Sequence, residues 1–162
     1  MNLADAELFS TQCPSGGGSG SCKPCRAMCA SGYPGRFTPD EAMRAMDVGL
    51  ASRLICLRYR KTTVLRPAII GWEGLAVAES ELVRGQCVFL TVGGGCELHR
   101  NGPKPLECRT ASCRSMDHAT QRRADDVYRQ VVAAIECAWR SRAGQAAVKR
   151  WREEIARLTE VA

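Results

Sequence analysis

Eight of the ten cysteines fall into two groups, Cys13-x8-Cys22-x2-Cys25-x3-Cys29 and Cys87-x8-Cys96-x11-Cys108-x4-Cys113. Thiolates spaced this closely can converge on one ion without a large additional loop-closure entropy. All-sulfur ligation in tetrahedral geometry suits zinc or an iron–sulfur centre and disfavours magnesium and calcium. All eight are therefore candidate ligands, either shared between two four-ligand sites or with Cys13 and Cys113 left free of a single site.

Cys22-Lys23-Pro24-Cys25 alone also fits a dithiol redox pair. Such a pair wants a strand before it and a helix starting at it, whereas the flexible stretch from Pro14 to Ser21 precedes it here. That stretch is not a phosphate loop either, because Lys23 is followed by Pro24 rather than by Ser or Thr. Cys56 and Cys137 lie in the runs Leu54-Ile55-Cys56-Leu57 and Ile135-Glu136-Cys137-Ala138, both read as helical, where free cysteine behaves as a small buried hydrophobe. Neither is expected to ligate. His99, just after Cys96, offers an alternative three-Cys, one-His site, and His118 beside Asp117 reads as part of a helix cap. No Ser/His/Asp set or spaced carboxylate pair stands out, so the thiols are the only nucleophiles the pattern supports.

The elements that must position these thiols are short. Thr38-Pro39-Asp40-Glu41 spells a helix start, with Thr as N-cap, Pro at the first position and Glu closing a capping box. The helix is expected to run to about Asp47, with Gly49 ending it and a second helix following through Leu50, Leu54, Ile55 and Leu57. Thr62–Leu65 and Ala68–Ile70 read as short strands. Cys87–Val92, Gly93-Gly94-Gly95 and Cys96–His99 read as a hairpin that draws Cys87 towards Cys96, and Asn101–Pro105 as a loop leading to Cys108. Beyond Asp117, Val127, Val131, Ile135 and Ala138 share one helical face, and Val148, Trp151, Ile155 and Leu158 continue at helical spacing after Gly144.

These features predict an α+β fold: a small cysteine-rich, metal-centred domain with short strands and a C-terminal pair of amphipathic helices. Residues 1–12 form a loose lead, 13–118 the cysteine-cluster domain, and 119–162 helices packing on the same domain. No period of 20–50 residues recurs, so a solenoid is not indicated.

The 162 residues carry 23 basic against 17 acidic side chains, a net +6. The excess is spread, with −2 over residues 1–20, +5 over 21–118 and +3 over 119–162. With no basic block, a solvated surface is favoured over a nucleic-acid partner, and a protein partner for the C-terminal helices is the other option. The stretch Val64–Ala78 is interrupted by Arg66, Pro67 and Glu73, so no membrane span is expected. The N-terminus has no basic n-region or apolar h-region. The expected compartment is therefore the cytoplasm, where thiols hold metal more readily than they form disulfides.

The order of motifs resembles a known family. The N-terminal cysteines, Pro34-Gly35-Arg36-Phe37-Thr38-Pro39-Asp40-Glu41, Cys87-Val88-Phe89-Leu90, Gly95-Cys96-Glu97-Leu98-His99 and Lys104-Pro105-Leu106-Glu107-Cys108-Arg109 resemble the YkgJ-like zinc- or iron-chelating proteins over residues 22 to 109. Family members often carry adjacent cysteines, whereas Cys25 is followed here by Arg26, so Cys25 and Cys29 are both candidates for that role. The resemblance implies a cysteine-rich metal site, often an iron–sulfur cluster, and related domains occur in flagellin lysine methylation enzymes. No Gly-rich strand-to-helix motif for a methyl donor is present.

The leading expectation is a cytoplasmic metal-binding protein, an accessory or modification factor, in which Cys22, Cys25 and Cys29 meet Cys87, Cys96 and Cys108 around zinc or an iron–sulfur cluster. Its rivals are a zinc-stabilised module binding nucleic acid or an acidic protein through an Arg-rich surface, and a disulfide-stapled exported protein.

Overall fold

The computed structural model describes residues 29–98, 102–110 and 118–161. Helix α1 (Pro39–Asp47) begins where the capping box predicts: Glu41 N–H donates to Thr38 Oγ1 and Thr38 N–H to Glu41 Oε2. It ends at Val48, and Gly49 turns the chain at φ 80°.

The second helix expected through Leu54, Ile55 and Leu57 is instead a strand. After a single 3-10 turn at Ala51–Arg53, β1 (Leu54–Tyr59) pairs antiparallel with β2 (Thr62–Pro67), in the register Leu54 with Pro67 to Tyr59 with Thr62. Arg60, at φ 51°, closes the hairpin. On its other edge β1 pairs parallel with β3 (Ala76–Ala78), so the sheet order is β2-β1-β3. Leu54, Ile55, Cys56 and Leu57 are all buried. A strand covered on both faces is uniformly apolar, which removes the alternation that separates strand from helix in sequence.

Helices α2 (Leu106–Thr110), α3 (His118–Arg140) and α4 (Arg142–Val161) complete the fold, with α3 and α4 packed on β2 and on each other. Val131, Ile135 and Trp139 form the buried stripe of α3, and Val148 and Trp151 that of α4, while Leu158 is exposed. Each tryptophan also anchors by hydrogen bond: Trp139 Nε1 donates to Phe37 O at 2.7 Å and Trp151 Nε1 to Ala51 O at 3.0 Å. The break between the helices falls at Ser141, whose Oγ accepts from Gly144 N–H, and not at Gly144, which lies inside α4. Cys137, expected to be buried, is exposed on α3. Among the described residues no helix is long and apolar enough to cross a membrane. The fold is thus mixed α+β, with a three-stranded sheet and C-terminal helices.

Candidate metal centre

Four of the expected ligands, Cys29, Cys87, Cys96 and Cys108, are described, and all four are free thiols. Backbone pairing draws their chain segments together. Cys87 N–H donates to Cys29 O at 2.8 Å, and Gly85 N–H to Gly32 O at 3.3 Å, laying the segment after Cys29 along that of Cys87. Ile69 bridges Cys87 on the other side, tying it to the chain leaving β2.

The hairpin expected between Cys87 and Cys96 is reduced to one antiparallel bridge, Leu90 with Cys96, closed by Thr91 N–H donating to Gly95 O at 2.9 Å. Three successive glycines supply no side chains to extend a ladder. Arg53 takes over that role. Its guanidinium grips both oxygens of Glu97 at 2.8 Å, donates to Val88 O at 2.8 Å, and stacks 4.1 Å from the Phe89 ring. The arrangement holds the Glu97 carboxyl below its ordinary range.

Cys29 and Cys87 each lie within electrostatic reach of the other three described thiols. Burial, reinforced by neighbouring thiols, raises Cys29 and pushes Cys87 up to about 12; Cys96 acts on both. Burial also raises Cys108, with Cys29, Glu107 and Cys87 adding to the effect. Two donors oppose this: Gly35 N–H reaches Cys108 Sγ at 3.2 Å, and the Phe89 N–H serves Cys87. Such N–H···S contacts favour a thiolate, the form a metal requires, but burial outweighs them and raises both thiols; as a donor set, the four thiols are of the type a soft or borderline ion takes. Among the described residues, no three His, Cys, Asp or Glu side chains are arranged to hold one. Cys13, Cys22, Cys25, Cys113 and His99 lie outside the described residues, as do the Gly/Ser stretch and Asp117.

Cys108 is fixed by two buried carboxylates that spacing alone did not single out as partners. Glu107 accepts from Arg36 N–H, from Arg36 Nη1 at 3.3 Å and from Tyr128 Oη at 2.8 Å. Glu41, 1% exposed, reaches beyond its capping role to accept from Leu106 N–H at 3.1 Å and Arg109 Nη2 at 2.5 Å. The two flanks of Cys108 are thereby pinned to the Gly35–Glu41 segment. Gly35 is required by contact: a Cβ there would lie 2.7 Å from Cys108 Sγ and 2.8 Å from Cys108 N. The Pro34-Gly35-Arg36 and Leu106-Glu107-Cys108-Arg109 motifs, far apart in sequence, are two halves of one clamp.

Arg66 is the cost in this region. It is 5% exposed and its Nε has no hydrogen-bond partner, as is also true of Arg36 Nε. Desolvation outweighs the attraction of Glu107 and Glu79 and lowers its pKa. Beside the clamp, a depression of about 730 Å³ opens between Arg44, Leu98, Lys104 and Arg109. Lys104 also faces Cys29, where its charge opposes the upward shift of that thiol.

No family model matches the chain, and no curated protein or solved structure matches it either.

Proposed function

We propose that this chain is a metal-binding protein whose centre, zinc or an iron–sulfur cluster, is built on Cys29, Cys87, Cys96 and Cys108, with the remaining cysteines of the two groups completing it. The observation that carries this reading is the backbone pairing that joins the two cysteine groups, Cys87 N–H donating to Cys29 O at 2.8 Å, together with the Gly35 N–H directed at Cys108 Sγ. The resemblance to YkgJ-like proteins points the same way. Four-thiolate zinc would supply a cross-link worth of order 10 kcal/mol of binding free energy, whereas an iron–sulfur cluster would supply electron transfer. The chain's own part is to hold the thiols partly or wholly buried and to direct N–H donors at the sulfurs of Cys87 and Cys108. In this reading the chain acts as an accessory or modification factor in the cytoplasm.

The test is elemental analysis and a visible spectrum of protein purified without oxygen, comparing wild type with Cys87→Ser, Cys108→Ser and Cys137→Ser. Stoichiometric zinc or iron in wild type and Cys137→Ser, lost in the other two, is the expected result. Equal metal in all four proteins would refute the assignment, and none in any would refute the function.

A further inference from the structure

Four cationic residues, scattered in sequence, line one cleft in the fold. A cleft of about 440 Å³ lies between the β1–β2 hairpin and the α3–α4 junction. Lys61 from the hairpin turn, Arg140 from the last turn of α3, and Lys149 and Arg152 from α4 line it. Glu153 is the single acid in the lining, and at 3.8 Å it pairs with Lys149. Among the described residues no carboxylate lies within ion-pair distance of Lys61, Arg140 or Arg152. Four cations against one acid leave a local charge of +3 on a wall whose floor, Trp139 and Val148, is buried core.

The cleft also carries neutral donors. Thr63, two residues beyond Lys61, and Gln145 line it. Gln145, Lys149 and Arg152 recur at four- and three-residue steps, which puts them on one face of α4. Two ammonium groups, two guanidinium forks, the hydroxyls of Thr62 and Thr63 and an amide, lining one cleft from three elements, match an acceptor with several charged oxygens. A single carboxylate offers two, and the volume lies in the range of ligand sites rather than of a lone small ion.

We infer that the cleft formed by Lys61, Arg140, Lys149 and Arg152 is a binding site for a phosphate group, borne either by a small phosphorylated molecule or by a nucleic-acid backbone. The site is separate from the cysteine region and does not depend on a metal. Guanidinium forks from Arg140 and Arg152 take the oxygens, and the two lysines neutralise the charge that remains.

The experiment uses the full chain as purified, with two probes at low salt: pyrophosphate by titration calorimetry, and a fluorescein-labelled single-stranded oligonucleotide by anisotropy. The Lys61→Gln/Arg152→Gln double variant is compared with Arg129→Gln/Arg157→Gln. The control removes the same charge from side chains that are 73% and 72% exposed outside the cleft. Thermal unfolding of each variant verifies that folding is retained. The cleft variant is expected to bind at least tenfold more weakly, and the control within about twofold of wild type. A small-molecule source shows as saturable pyrophosphate binding without tight oligonucleotide binding. A backbone source shows as tight oligonucleotide binding whose salt slope falls by about 1.4 when the two cations are removed. Absence of binding to either probe, or equal loss in both double variants, overturns the inference.

Discussion

Glu41→Gln is the most informative single change in the clamp that fixes Cys108. Oε2 accepts from Thr38 N–H at 2.8 Å and Leu106 N–H at 3.1 Å, while Oε1 accepts from Arg109 Nη2. Glutamine has one acceptor oxygen and one donor amide. If the oxygen keeps the two backbone donors, the amide meets the Arg109 guanidinium donor to donor; if it turns, two buried N–H groups are orphaned. A charge-assisted bond is worth about 1.5–3 kcal/mol, and an orphaned buried donor costs about 1–3 kcal/mol. The Arg109 side chain is 29% exposed, so water recovers part of its loss and the first orientation is the cheaper. The expected destabilisation is about 2–3 kcal/mol by equilibrium urea unfolding, with the m-value unchanged. A Glu41→Gln/Arg109→Met cycle should give a coupling of at least about 1 kcal/mol. A loss below about 0.5 kcal/mol would refute the view that this carboxylate ties α1 to α2.

Gly35→Ala is expected to displace Cys108 and to cost about 1–3 kcal/mol by the same assay, because the new methyl overlaps both the thiol and the backbone of Cys108; unchanged stability would mean that α2 is free to shift. Arg66→Met should stabilise metal-free protein by about 1 kcal/mol, since it removes a buried charge whose desolvation exceeds its attractions; a comparable loss in urea unfolding would show that those attractions prevail. Burial raises Cys56 to about 11 from 9.0, so the folded state holds this proton more tightly than the unfolded one. That contribution is complete below pH 9 and is lost as pH rises towards 11, a fall of about 2–3 kcal/mol by linkage. In Cys56→Val the stability–pH profile over that window should be flatter, and an identical slope would remove Cys56 as its cause.

What the sequence revealed was mostly local. The Thr38–Glu41 capping box lies within one turn, and its start and stop signals were readable directly. The strand at Leu54–Tyr59 was not, because burial on both faces left four consecutive apolar residues that suit a helix equally well. The grouping of the cysteines was visible as spacing, but the role of Gly35, Glu107 and Glu41 was hidden, since each acts on a partner more than 60 residues away. Cys137 shows the opposite error: its neighbours Ile135 and Trp139 face the core, and an intervening helical position turns it to solvent. The cationic cleft had no signature at all. Lys61 and Arg152 meet only because the hairpin packs beside α4, and charge counted along the chain averages over that tertiary event.

X-ray absorption at the metal edge of protein purified without oxygen tests the central claim most directly. A first shell of sulfur alone, at about 2.3 Å for zinc or with a second iron shell for a cluster, is the predicted result. A shell of nitrogen and oxygen, or protein without stoichiometric metal, would contradict a centre built on these thiols.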